Sequence, residues 1–367
     1  MAEQPLQGGG HAPTALSLKQ QLIFWSAALV VFLALLWLLS DVLLPFVVAL
    51  VLGYLLNPVV QGLQNLGLPR VVAALLILGI AIAAIVVGVM ALGPLVAGQV
   101  ADLVRGIPED VQKLQKLFDE FAQTWFGQAV REQLPKAQES LGGIAASVAG
   151  WLTGFLASLW SGGKAFISVI SIFVIAPIVA FYLLLDWDRL VATVDSWIPR
   201  PQQATVRQIL SDIDAAISGF LRGQALCCLI LGTFYAIALK LIGLNFGILI
   251  GLTAGALGFI PYLGPSSGFL MATGMATAQF WPEWLPIMMS AGVFVIGQII
   301  EGNVLQPYLV GSRTGLHPVW LMFALFAFGY LFGFIGLLVA VPVAAAIGVI
   351  VRFLFRQYQA SPYYRGS

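Results

Sequence analysis

Long uninterrupted apolar runs, rather than two-residue alternation or narrow helical stripes, dominate the chain. Such runs occupy residues 22–40, 42–60, 71–92, 165–185 and 224–242, each close to the roughly 20 residues with which a helix crosses a hydrocarbon layer about 30 Å thick. Residues 247–279 hold two more apolar stretches, interrupted at Pro261 and Pro265, and residues 285–302 supply another. The last stretch, 319–355, is too long for one straight crossing. It contains Gly329, Gly333, Gly336 and Pro342, so it is expected to fold as two spans or as a helical hairpin. The pattern predicts an all-α polytopic membrane protein with about eight transmembrane helices, some of them broken by proline and glycine.

Two segments do not fit a lipid-spanning reading. In residues 94–163, Val100, Leu103, Val104, Ile107, Val111, Leu114, Leu117, Phe118 and Phe121 recur at spacings of three and four, opposite a charged face. That is the signature of an amphipathic helix lying on a membrane surface or packed on a partner. In residues 186–222 the stripe is Val206, Ile209, Leu210, Ile213, Ile217 and Phe220, with Pro199 and Pro201 marking where the helix starts. The expected organisation is a polar cytoplasmic tail (1–20), a three-helix membrane segment (21–93) and an extracytoplasmic amphipathic segment (94–163). A single span (164–185), a cytoplasmic amphipathic segment (186–222), a C-terminal membrane core (223–356) and a short cytoplasmic tail (357–367) follow.

Composition narrows the class. Of the 367 residues 60% are hydrophobic and only 9% charged, an excess of apolar surface that no water-soluble domain of this size can bury. The formal net charge of +1 and the absence of a Lys/Arg stripe exclude a nucleic-acid partner. Cys227 and Cys228 are the only cysteines and are adjacent, which excludes a disulfide framework. No zinc-hydrolase, serine-hydrolase or phosphate-loop motif is present. The chain is thus expected to be neither an enzyme nor an ATP-driven pump, and to need no cofactor or metal. Lys19, Arg70, Arg189, Arg200, Arg207, Arg222, Arg313, Arg352, Arg356 and Arg365 fall on one side of the predicted topology. By the excess of basic residues in cytoplasmic loops, both termini are placed in the cytoplasm of a bacterial inner membrane.

Three places carry candidate chemistry. Gly247, Gly251 and Gly255 repeat every four residues, and Gly329 and Gly333 repeat the spacing; such faces let helix backbones approach closely in lipid. Around Pro261, Tyr262, Gly264 and Pro265, prolines and glycines at membrane depth strip carbonyls of their helical partners. Backbone of that kind is tolerated only when buried in protein or lining a cavity, and broken helices often mark a transport site. Finally, Gln298, Glu301, Asn303, Gln306 and Arg313 gather polar groups at the end of an apolar helix, and an ionisable group within a span is a functional candidate.

The same stretches carry a family resemblance. Phe181-Tyr182-Leu183-Leu184-Leu185-Asp186, Gly219-Phe220-Leu221-Arg222-Gly223-Gln224 and Phe259-Ile260-Pro261-Tyr262-Leu263-Gly264-Pro265 belong to it. So do Glu301 with Pro307 and Gly311, Leu316-His317-Pro318, and Gly333-Phe334-Ile335-Gly336 followed by Pro342. Together they make the chain resemble the autoinducer-2 exporter family of bacterial permeases. The resemblance implies cytoplasmic termini, homo-oligomeric assembly in lipid, and a permease that moves a small molecule such as a quorum-sensing signal. Members of the family are also associated with Na⁺(Li⁺)/H⁺ antiport, for which Glu301 is the candidate. A non-transporting membrane scaffold is the reading of a different class.

Overall fold

A computed structural model describes residues 18–88, 90–94, 98–99, 143, 150, 154, 164–310 and 317–365. Most of the predicted extracytoplasmic segment 94–163, and Arg313, lie outside the described residues. Every regular element among those described is a helix. α1 (Leu18–Leu38) lies in one compact unit that ends at Leu44, and a second unit runs from Pro45 to the C-terminus. The large apolar side chains of α1, including Ile23, Phe24, Val30 and Phe32, are exposed, as lipid-facing groups would be.

In the second unit, the part of α2 (Ser40–Asn65) from Pro45 onward, α3 (Arg70–Pro94) and α4 (Lys164–Ser196) pack together through small residues. Ala49, Ala176 and Ala180 close on Leu78, and Ala73 and Ala74 close on Val60 and Leu184. Close approach over alanines suits a medium in which burial against lipid gives no hydrophobic advantage, so dispersion contacts decide the packing. The start of α3 is tied to α4 by Arg70, only 14% exposed, which donates from Nε to the Leu184 carbonyl at 2.7 Å and pairs with the Asp188 carboxylate.

α4 is 33 residues long and α5 (Gln203–Leu241) is 39. Each carries the apolar run predicted as a span and the polar stripe predicted as cytoplasmic within one continuous helix. The amphipathic segment is therefore no separate element. It is the end of α4 and the beginning of α5, joined through a 3₁₀ turn at Arg200–Gln202 where Pro199 and Pro201 interrupt the helix. Arg207 clasps Asp195 across that turn with two hydrogen bonds of 2.6 Å.

α5 is the central post of the unit. α6 (Gly247–Leu257), α7 (Leu263–Phe280), α8 (Trp284–Ile300), a π-helical segment (Glu301–Val310) and α9 (Pro318–Ala360) follow it. A four-residue helix, α10 (Pro362–Arg365), ends the described chain. Among the described residues six helices are long and apolar enough to cross a membrane. With 11 residues α6 is not one of them, being roughly 16 Å long. It turns back on itself as a hairpin with α7. Gln279, at the far end of α7, donates to the Gly243 carbonyl at 2.9 Å and accepts from the Asn245 N–H at 2.7 Å, so both arms end beside the C-terminus of α5.

α9 also folds back. Gly333 has φ 59° and ψ −137° inside it, Leu325 and Ala340 share one buried cluster, and Gly329 sits against Leu337. The arm before Gly333, roughly 22 Å long by helical rise, is shorter than the hydrocarbon layer. Gly329 and Gly333 thus do not form one packing face as their spacing predicts. Gly333 is the turn, and a Cβ there would meet nothing within 4 Å, so backbone conformation alone demands glycine. Gly333→Ala is expected to lower stability by about 1–3 kcal/mol, the range for a non-glycine residue held in a sparsely allowed conformation. Thermal unfolding in detergent would read this, and an unchanged midpoint would show that the turn relaxes.

The open end of the α9 hairpin lies toward the beginning of α5, where Ala345 and Val349 pack on Ala216, Ile209 and Ile213. The α6–α7 hairpin opens toward the other end. The two therefore insert from opposite ends of the central helix, and Ile260, at the bend of one, packs on Leu325 and Ala340 of the other.

Candidate functional site

The bend between α6 and α7 spans Gly258 to Tyr262. Pro261 cannot donate a backbone bond, and Tyr262 takes a left-handed conformation with φ 68°, uncommon for an aromatic residue. The chain can then reverse at once, and Gly264 lies so near Gly258 that a Cβ would sit 2.5 Å from the Ala254 carbonyl oxygen. The reversal leaves carbonyls at the end of α6 without helical partners. Gln224 of α5, 5% exposed, answers one of them, donating from Nε2 to the Gly258 carbonyl at 2.6 Å. Gln224 is a residue that reading the sequence for chemistry missed. Its signal was an amide within an apolar run, directly after Gly223.

Gly223 has its own task. A Cβ there would lie 2.5 Å from the Leu309 carbonyl oxygen and 2.9 Å from the Val310 Cα, so only glycine lets the π-helical segment rest on α5. Neighbouring residues of the central helix thus hold both irregular elements, Gln224 by a hydrogen bond and Gly223 by leaving out a side chain.

A π-helix is uncommon and often marks a functional position. Here it continues α8 through Glu301 and contains Pro307. Gln298 Nε2 donates to Glu301 Oε2 at 2.7 Å, and Asn303 Nδ2 donates to the Ile299 carbonyl at 3.0 Å. The wider winding brings the exposed Gln306 side chain to the Glu301 carboxylate. Glu301 is half-buried, at the start of the segment that packs on α5. Tyr235 also went unsingled in the sequence. Its ring stacks on Phe294 at 4.4 Å between centroids, and its hydroxyl is buried. Gly297 makes the room, because any side chain there would overlap that ring.

Between α7 and α8 lies a groove of about 640 Å³. Pro265, Ser266, Phe269 and Leu270 form one wall, and Phe294, Gln298 and Asn303 are among the residues of the other. Of the predicted site residues, Pro265, Gln298 and Asn303 line it, and Glu301 is attached through its bond to Gln298. Pro261, Tyr262, Gly264 and Gln306 do not line it. Tyr262 is half exposed at the bend, and Gly264 is buried in the hairpin seam. An amide pair on the wall of an apolar groove can donate to and accept from a neutral polar molecule, and the attached carboxylate adds one negative charge. Among the described residues no group of three or more His, Cys, Asp or Glu side chains is placed to hold a metal ion.

Gly247, Gly251 and Gly255 lie along the seam between α6 and α5. A Cβ on Gly251 or Gly255 would overlap the backbone of Ala236 or Gly232, and one on Gly247 would lie 3.0 Å from Leu239.

Comparison with known proteins gives the family. Residues 27–356 match the family model described as AI-2E family transporter. The chain is 29% identical over 330 residues to "Putative transport protein YrrI" of Bacillus subtilis, covering 87% of this chain and 89% of the relative. It is 25% identical over 319 residues to "Putative permease PerM" of Escherichia coli K12, covering 85% and 87% respectively.

Proposed function

Because the chain belongs to the AI-2E family of transporters, matched from residue 27 to 356, we propose that this multi-pass membrane transporter exports a small polar solute by alternating access. The solute would be held in the α7–α8 groove. The observation that carries the reading is the placement of Gln298 and Asn303 on that groove, beside a helix break whose Gly258 carbonyl is secured by Gln224. In lipid, polar side chains and broken backbone at one place are expensive unless they face a hydrophilic passage. Gln298 serves as the solute's hydrogen-bond partner. Glu301 orients the Gln298 amide by accepting from its Nε2, which leaves the Gln298 carbonyl oxygen as an acceptor for hydroxyl groups.

The protein would sit in the bacterial inner membrane with both termini in the cytoplasm, as a homo-oligomer surrounded by lipid. Arg313, which lies outside the described residues, is a proposed solute or headgroup contact. A quorum-sensing signal of the autoinducer-2 type, small and rich in hydroxyls, has the chemistry that the amide pair favours.

Purified full-length protein in proteoliposomes tests this with a labelled, neutral, polyhydroxylated solute. Wild type is expected to pass it faster than empty vesicles. Gln298→Ala should cut that flux by about 5- to 20-fold, the equivalent of one or two hydrogen bonds, and Glu301→Gln should cut it less because the amide can still orient Gln298. If no such solute moves while a Na⁺ gradient drives internal pH changes that Glu301→Gln abolishes, the protein is an antiporter instead. If neither flux exceeds that of empty vesicles, it is a scaffold.

A further inference from the structure

Consecutive residues of the central helix each meet a different irregularity of the backbone. Gly223 seats the π-helical segment, and Gln224 secures the bend between α6 and α7. Arg222, directly before them, reaches α2, where its Nε donates to the Tyr54 carbonyl at 3.3 Å. Successive side chains on a helix point about 100° apart, so adjacent positions can serve three neighbours at one level of α5.

The Tyr54 carbonyl is not an ordinary helical acceptor. Within an α-helix it would take the N–H of the residue four positions on. That residue is Pro58, inside α2, and proline has no N–H to give. Proline is tolerated in membrane-spanning helices where a neighbouring group satisfies the carbonyl it frees. Here the donor is a guanidinium, which is always charged and accepts nothing in return. The contact is not isolated. Val51 and Tyr54 of α2 pack in one cluster with Phe220 and Leu221 of α5, Phe259 of the bend and Val310 of the π-helical segment. The Tyr54 ring stands edge-on to Trp187 of α4 at 5.2 Å between centroids, and Phe220 stands edge-on to Phe259 at 6.2 Å. Tyr54 thus lies where α2 and α4 meet the stretch of α5 that holds both irregular elements.

We propose that Arg222 is a positioning residue. By donating to the carbonyl that Pro58 frees, it anchors the central helix to α2 beside the bend and the π-helical segment. Neither Arg222 nor Tyr54 lines the proposed solute groove, so the anchor acts through Gly223 and Gln224. Its effect on flux rests on the export reading, while the anchor itself stands or falls without a solute. A group that merely satisfied a carbonyl could be replaced by any other donor to it; an anchor could not.

Pro58→Ala separates these two roles, because it returns a backbone N–H to the Tyr54 carbonyl from within α2. Arg222→Met, Pro58→Ala and their combination are made in the full chain. Thermal unfolding in detergent is read beside hydrogen exchange of the bend and of the π-helical segment. Arg222→Met is expected to lower the unfolding midpoint and to speed exchange in both segments at least about fivefold, as the loss of one charge-assisted hydrogen bond would. Adding Pro58→Ala should recover most of the midpoint loss and leave the exchange fast. Pro58→Ala alone should keep exchange within about twofold of wild type, since a carbonyl oxygen has a second lone pair for Arg222. In proteoliposomes both proteins carrying Arg222→Met should lose about fivefold or more of maximal flux, with half-saturation within about twofold of wild type. Exchange that returns to the wild-type rate in the combined variant overturns the anchor, because any donor would then serve. An equal midpoint loss in the combined variant and in Arg222→Met also overturns it, by showing that Arg222 does not serve the Tyr54 carbonyl. Should Arg222→Met fail to fold, the combined variant must fold, and its failure counts equally against the assignment. If wild type moves no solute, the export reading falls, and exchange with unfolding still decides the anchor.

Discussion

Gly255→Leu is expected to remove most of the folded protein from the membrane, with the surviving fraction unfolding far below the wild-type midpoint. Gly247, Gly251 and Gly255 of α6 press on Leu239, on Ala236 with Tyr235, and on Gly232 with Cys228 of α5. At Gly255 the obstacle is the Gly232 Cα, with the Cys228 carbonyl oxygen 3.0 Å from where a Cβ would stand. No rotamer change clears backbone from backbone, so the helices must part. Overpacking a core that can adjust costs about 1–3 kcal/mol. A forced separation forfeits the contacts along the whole seam, and in lipid no hydrophobic force brings the helices back together. The expected loss is therefore at or beyond the top of that range. Gly274→Leu and Gly292→Leu are the controls, because a Cβ at either meets nothing within 4 Å; both should unfold near the wild-type midpoint. Size-exclusion recovery and thermal unfolding in detergent measure the series. A Gly255→Leu protein as stable as Gly274→Leu would mean that α5 and α6 are not in contact as described.

The separate visibility of these features in the sequence has a physical origin. Apolar run length depends only on local composition, so the crossings in α2, α3, α4 and α8 can be read from it, as can the reversal within 319–355, where glycines interrupt a run too long for the bilayer. The Gly247-Gly251-Gly255 face was readable because four-residue spacing is a property of one helix. What lay opposite it was not, since a partner helix is fixed by tertiary contact. The single helix α5 read as two elements for a similar reason. Hydropathy changes where α5 leaves the apolar region, while its hydrogen-bond ladder continues unbroken past Arg222.

The site divides along the same line. Gln298, Glu301, Asn303 and Pro265 were legible as polar or helix-breaking residues in apolar surroundings, and they lie together around the α7–α8 groove. The π-helical winding from Glu301 had no sequence signal beyond Pro307, because the extra residue per turn is stabilised by what it rests on, namely Gly223. Tyr235, an aromatic residue within an apolar run, drew no attention in the sequence. Only the stacked Phe294 and the gap at Gly297 show that its hydroxyl is sealed inside the protein.

Gln224→Leu should uncouple the proposed solute groove from the central helix while leaving the groove's own side chains in place. The substitution keeps nearly the same volume and takes away the donor to the Gly258 carbonyl. That part-buried carbonyl at the end of α6 then loses its side-chain donor, an omission worth about 1–3 kcal/mol. Gln224→Glu is expected to be worse, since it sets an acceptor against an acceptor and adds a charge at membrane depth. Because Gln224 does not line the groove, solute affinity should fall little while maximal flux falls about tenfold or more, the bend no longer holding one position as the site changes exposure. The opposite split is expected from Gln298→Ala, where affinity is lost first. Concentration-dependent flux in proteoliposomes separates the two effects, with thermal unfolding reporting the stability loss in parallel. If Gln224→Leu instead weakened affinity and spared maximal flux, Gln224 would belong to the solute's own contacts, and the hydrogen bond to Gly258 would not be what holds the bend in its working position.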